Sequence, residues 1–221
     1  MPASPLLDRL ARQLRQREQA GTRRRLPSAP PAALVDFASN DYLGLSRHPA
    51  LRRAVQQAAA TAPTLGSTGA RLLTGNSAAA EALETRMAAF HAAEAALLFT
   101  SGYAANHGLL SALPQRGDVI LYDEGSHASV KEGVRGSFAT AHSFRHNDAA
   151  HLRQRLGRLS LPEGAAVFVA VEAVYSMSGD AAPLAALVDV CREFGAQLIV
   201  DEAHSLGVYG PGGAGLVVGL G

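Results

Sequence analysis

Short apolar runs alternate with helix-length segments through the second half of this 221-residue chain, and that alternation leaves few folds open. In order they read AALLFT, a helix from about Ala104, DVILYD, a helix from about Ser129, and AHSFRHND. A helix near 148–159 follows, then AAVFVAVEAVYS, a helix near 183–194, and AQLIVDEAHS. Strands joined by helices of this length form βαβ units, and such units predict an α/β fold with a mostly parallel sheet flanked by helices. Upstream, Leu6, Leu7, Leu10 and Leu14 recur at helical spacing over 4–20, and Gly21 is placed to stop that helix. The basic cluster Arg23, Arg24, Arg25 and the Pro-rich connector LPSAPPAA come next. Residues 1–45 therefore read as an N-terminal arm, and 46–221 as the main domain. Within the latter, PALRRAVQQAAA predicts a helix, GSTGARLLTGNS a loop, and AAAEALETRMAAFHA a helix with Ser77 as N-cap.

Composition narrows the function classes. Hydrophobic residues are 48% and charged residues 18%, which excludes global disorder. A net charge of +1 offers no general attraction to nucleic acid or an anionic membrane. No apolar run is long enough to span a bilayer, and the charged N-terminus lacks the apolar stretch of a secretory signal. A single cysteine, Cys191, rules out an internal disulfide, and a cytoplasmic location is expected. Lys131 is the only lysine, so any chemistry that needs a lysine from this chain has one candidate.

Open parallel sheets bind ligands beyond the carboxyl ends of their strands, which makes polar residues there the candidates. TSGYAAN sets Gly102 and Tyr103 at a helix start, where backbone N–H groups and the helix dipole suit a phosphate; an ordinary strand-to-helix turn reads the same way. His127 follows DVILYD, while Ser176 and Asp180 follow VFVAVEAV, where Ser, Gly and Asp also make ordinary turns. Asp201 comes straight after what reads as a buried strand, so its carboxylate calls for a partner: a metal, a cation or a bound heterocycle. The DEAH run also occurs in nucleotidases, but their P-loop is missing here. His142 and His146 are spaced i, i+4, yet they lack the HExxH glutamate and fall in a strand and turn, so no metal is expected. Cys191, in ALVDVCREF, reads as a small buried hydrophobe.

Taken together, SNDYLGL, GSTGARLLTGN, LLFTSGYAAN, DEGSHAS, FRHND, VEAVYSMSGD, APL and LIVDEAHSLGVYGPGGAG resemble, in order and spacing, the α-oxoamine synthases. These are pyridoxal 5′-phosphate (PLP) enzymes of the type I aminotransferase fold that join an acyl thioester to an amino acid with loss of CO₂. The resemblance is nearest to the biotin-pathway branch, which uses a pimeloyl thioester, carried by CoA or acyl carrier protein, and L-alanine. It implies that Asp201 sits beneath the pyridine nitrogen and that His127 stacks on the ring and positions the amino acid. Ser176 and His204 would bond near the phenolic oxygen, and Gly102 and Tyr103 would hold the phosphate. Arg23 would contact the acyl substrate and Asn40 the substrate carboxylate. A homodimer is implied as well. The family's Schiff-base lysine, in a TFGKA-like segment, has no counterpart here, nor does the small C-terminal domain. The Gly-rich end GPGGAGLVVGLG stops within an apolar run, so the expectation is the N-terminal part of that fold, incomplete at the C-terminus and inactive alone, with an exposed sheet edge that favours aggregation. Glycine- or serine-using relatives, glycine C-acetyltransferase among them, remain open, as does a non-catalytic chain that binds PLP or a full-length partner.

Overall fold

The computed structural model describes residues 4–26 and 34–220. The Pro-rich connector, apart from Leu26, lies outside them, as does Gly221. The chain divides into two compact units, Met1–Ser39 and Asn40–Gly221. In the first unit α1 (Pro5–Gln19) begins with proline at a first-turn position, where its missing N–H costs nothing. Helix α1 ends at Ala20, just before Gly21 in the left-handed region.

The second unit opens with α2 (Pro49–Thr61) and α3 (Ala78–Phe90). Ser77 caps α3 as expected, its hydroxyl accepting from Ala80 N–H at 3.2 Å. GSTGARLLTGNS is a loop with one wide helical turn, Arg71–Gly75, and its Arg71 pairs with Glu84 of α3. The run AALLFT is not a strand: residues 95–99 join no ladder among the described residues. Helix α4 (Gly102–Ala112) begins two residues earlier than read from sequence, because Ser101 caps it by accepting from Ala104 N–H at 3.1 Å.

From there the expected alternation holds. Strands β1 (Val119–Asp123), β2 (Thr140–Phe144), β3 (Val167–Glu172) and β4 (Gln197–Asp201) are joined by α5 (Ala128–Gly136), α6 (Ala149–Leu156) and α7 (Leu184–Phe194). All pairings are parallel and the strand order is β2-β1-β3-β4. Side chains on a strand alternate between faces. Leu121, Val169 and Val171 therefore pack with Leu152 and Leu156 of α6 and Leu187 and Val190 of α7. Ile120, Phe168 and Ala170 pack with Leu110 of α4 and Val130 and Val134 of α5. Each fully buried aliphatic side chain contributes about 1.5–3 kcal/mol. Cys191 is buried in the α7 face of this core, where burial pushes its thiol up to about 11. Gly133 lets α5 lie hard against α4: a Cβ there would come within 2.9 Å of the Asn106 carbonyl oxygen and of Leu110 Cβ.

Candidate active site at the carboxyl edge of the sheet

Chain order runs outward from β1 to β2 and then returns to the other side of β1 with β3. The β1/β3 boundary is thus a topological switch point, where loops leave in opposite directions and open a crevice. His127 follows β1 and Ser176 follows β3. Three adjacent strands also end in a carboxylate: Asp123 on β1, Glu172 on β3 and Asp201 on β4. Each carboxylate is engaged by hydrogen-bond donors: backbone N–H groups and His146 at Asp123, backbone N–H groups at Glu172, and Asn106 of α4 with the Ala203 N–H at Asp201.

Asp201 is half-buried rather than enclosed, because β4 is an outer strand with Gln197 exposed and its remaining residues half-covered. This corrects the expectation of a buried strand. Asp201 Oδ1 accepts from the backbone N–H of Ala203 at 2.9 Å, and Oδ2 accepts from the side-chain amide of Asn106 at 2.6 Å. The same Asn106 nitrogen donates to Ser129 Oγ at 3.0 Å, and Ser129 Oγ lies 2.8 Å from His127 Nδ1. His127 is exposed at the N-cap of α5, with its ring edge-on to that of Tyr103 and centroids 6.3 Å apart. At the start of α4, a Cβ on Gly102 would meet nothing within 4 Å, so the space beside the helix N-terminus is open.

Ser176 and His204 line one cavity of about 300 Å³ together with Tyr42, Val174, Tyr175 and Tyr209. Tyr42 hydroxyl and His204 Nδ1 are 2.7 Å apart, and Asn40 Oδ1 lies 3.5 Å from the same hydroxyl. SNDYLG and DEAH, far apart in sequence, are therefore in contact. Arg23 belongs to the first unit, where it and Arg25 both pair with Glu18.

Residues 32–219 match the family described as aminotransferase class I and II. The chain belongs to that family. Among curated relatives, 8-amino-7-oxononanoate synthase of Mycolicibacterium vanbaalenii is 48% identical over 93% of this chain and 54% of its own length. The Emericella nidulans enzyme of the same name is 45% identical over 98% of this chain and 56% of its own. Serine palmitoyltransferase from S. paucimobilis, solved with a bound PLP–myriocin aldimine, superposes with a TM-score of 0.80 at 32% identity, covering 99% of this chain and 60% of that one. The chain thus spans about half the length of the curated relatives it matches. These likenesses bear out the α-oxoamine synthase resemblance and the type I fold.

Within this family fold, several residues that position the site were missed or underrated from sequence. Both ring nitrogens of His146 meet carboxylates: its Nδ1 lies 2.8 Å from Asp123 Oδ1 and its Nε2 2.9 Å from Asp180 Oδ2. Burial alone would lower its pKa, but the two carboxylates outweigh burial and raise it. Asp180, read as ordinary turn chemistry, is the far end of this clamp and also accepts from Asn147 Nδ2 at 2.6 Å. Hydrogen bonding from Ser178, then from His146, lowers its pKa. Asp123 further accepts from Gly125 and Asn147 N–H at 2.7 and 2.8 Å. Asn147 has φ 53°, a left-handed conformation that asparagine tolerates better than most residues. Glu172, 2% exposed, accepts from the backbone N–H of His127, and Ser176 N–H also bonds it. Burial raises its pKa, His127 N–H opposes this, and the Asp201 charge adds to it. One signal was available: DVILYD, VFVAVE and LIVD all close an apolar run with an acid. No such signal marked Asn106, which the sequence offers as one residue of a helix.

Proposed function

We propose that this chain serves a PLP-dependent synthase that condenses a pimeloyl thioester, carried by CoA or acyl carrier protein, with L-alanine to give 8-amino-7-oxononanoate and CO₂. The substrates rest on the relatives of that name at 45–48% identity. One observation supports the cofactor: among the described residues, the Asp201 carboxylate at the carboxyl edge of the sheet is held by amide donors and no cation. Its charge is thereby left to face a protonated heterocycle. The open cradle at Gly102 and the donors at the start of α4 suit a phosphate, so the residues fit PLP.

Bound there, PLP supplies an electron sink for a carbanion at the α-carbon of the amino acid. Asp201 would hold a proton at the pyridine nitrogen, and Gly102 and Tyr103 would offer backbone N–H groups to the phosphate. His127 would help hold the ring and orient the amino acid. Ser176 and His204, which share a cavity with Tyr42, would hold the oxygen side of the ring. Asn40 would set the substrate carboxylate; the acyl-group contact assigned to Arg23 rests on the family motif alone. Lys131 donates to the Glu124 carbonyl at 2.8 Å and does not match the family's anchoring lysine. PLP binding by these 221 residues is therefore non-covalent, and they do not turn over by themselves. The assembled enzyme is a homodimer.

Titrating PLP into the purified chain, followed by absorbance and by filtration, tests this. Saturable binding that Asp201→Ala weakens at least tenfold is expected. A folded chain with no saturable binding overturns the reading. Product formation by the chain alone from pimeloyl-CoA and L-alanine overturns the inactivity, and parallel assays with glycine and serine test the choice of amino acid.

A further inference from the structure

Asp201 and His127 are joined by a chain of hydrogen bonds whose direction can be read from donor and acceptor chemistry. An ionised carboxylate only accepts, so the Asn106 atom 2.6 Å from Asp201 is the amide nitrogen. That nitrogen has two hydrogens, and the second goes to Ser129 Oγ at 3.0 Å. Ser129, 1% exposed, accepts on that side; because its own backbone N–H points to His127 Nδ1 at 3.2 Å, that nitrogen is an acceptor, and the Ser129 hydroxyl donates to it at 2.8 Å. A nitrogen that receives two hydrogens cannot carry one. The close approach of α4 and α5 at Gly133 brings Asn106 within reach of Ser129, and so permits the relay.

We infer that Asn106 and Ser129 are positioning residues that use the Asp201 carboxylate to fix His127 as its Nε2–H tautomer. His127 then presents a hydrogen-bond donor, not a proton acceptor, at its free nitrogen. If PLP binds as proposed, the group above the ring recognises an oxygen of the amino acid substrate by donation. The Asp201 carboxylate would set that polarity through two intervening side chains. This consequence rests on the PLP reading; the relay itself does not.

Two-bond ¹H–¹⁵N correlation spectra of the ligand-free chain test the relay, with His127 assigned by the loss of its signals in His127→Gln. Wild type should show Nδ1 as the bare, pyridine-type nitrogen and Nε2 as the protonated, pyrrole-type one. Asn106→Ala frees the Ser129 hydroxyl to rotate, and D201N removes the obligate acceptor so that the Asn106 amide can turn over. Both should shift the Nδ1 resonance toward the average of two exchanging tautomers. Ser129→Ala, which removes the hydroxyl donor outright and keeps the backbone N–H as the other two variants do, should shift it at least as far. Protonated Nδ1 in wild type overturns the inference, and so does an Nε2–H tautomer unchanged in both Asn106→Ala and D201N. Because these spectra need no cofactor, failure of PLP to bind would be recorded separately.

Discussion

Helices α2 and α7 are both amphipathic, yet only α7 buries an apolar face. Leu184, Leu187, Val190 and Cys191 of α7 lie in the core, whereas no residue of α2 is buried and Leu51 and Val55 remain exposed. The contrast extends along the second unit. Residues 40–99 contain no buried side chain, and the core begins with Leu110 of α4. Amphipathic pattern thus makes a helix, but burial needs a facing surface, and only the sheet supplies one. The early segment relies on local devices instead: the Ser77 cap, and the Arg71–Glu84 pair with Asn76 bridging from Arg71 to Glu81.

Leu187→Ala should break the comparison hardest. It empties a fully buried position between α7 and the sheet, and denaturant unfolding should show a loss of about 2–5 kcal/mol. Next comes Asp123→Ala, which strands the N–H groups of Gly125 and Asn147 and removes one arm of the His146 clamp. A cost of about 1–3 kcal/mol is expected by the same measurement, from buried donors left unpaired.

The pH dependence of that clamp has a definite sign. His146 has a folded pKa raised above its unfolded value of about 6.5. Its contribution is complete below the unfolded value and is lost as pH rises through the folded one. Asp180 has a lowered pKa, so its contribution is present above about 3.9 and lost as pH falls through the folded value. The stability difference between wild type and His146→Gln should therefore be greatest in the interval between, and should shrink as pH rises past the raised His146 value. Melting curves across pH measure it; a difference that grows in alkali would sink the clamp.

Ser77→Ala should cost about 1 kcal/mol of local helix stability, seen as faster amide exchange confined to α3. Leu72→Ala, at a position 98% exposed, should stay within about 0.5 kcal/mol of wild type. A larger loss at Leu72 than at Leu187 would reverse the comparison.

Much of the fold was legible because its signals are local. Period and length gave β1 to β4 and the helices between them, and Ser77 was recognisable as a cap from its place before a helical run. AALLFT misled for a physical reason: an apolar run becomes a strand only where another strand lies beside it, and none among the described residues does. For the candidate site, His127, Ser176, Asp201 and His204 stood out by position after strands and by motif, and Gly102 by its motif at a helix start. Their supports did not, since Asn106, Glu172 and His146 act through partners 95, 45 and 23 residues away.

By itself, then, the sequence determined the alternation of elements, the acid at the end of three strands and the family motifs, all carried by neighbours along the chain. Only the tertiary structure decided which acid meets which donor. Strand order set Asp123, Glu172 and Asp201 along one edge, and the glycine-permitted contact of α4 with α5 put Asn106 between Asp201 and Ser129. The reason is physical: hydrogen bonds act over about 3 Å of space, while spacing along the chain constrains only residues a few positions apart.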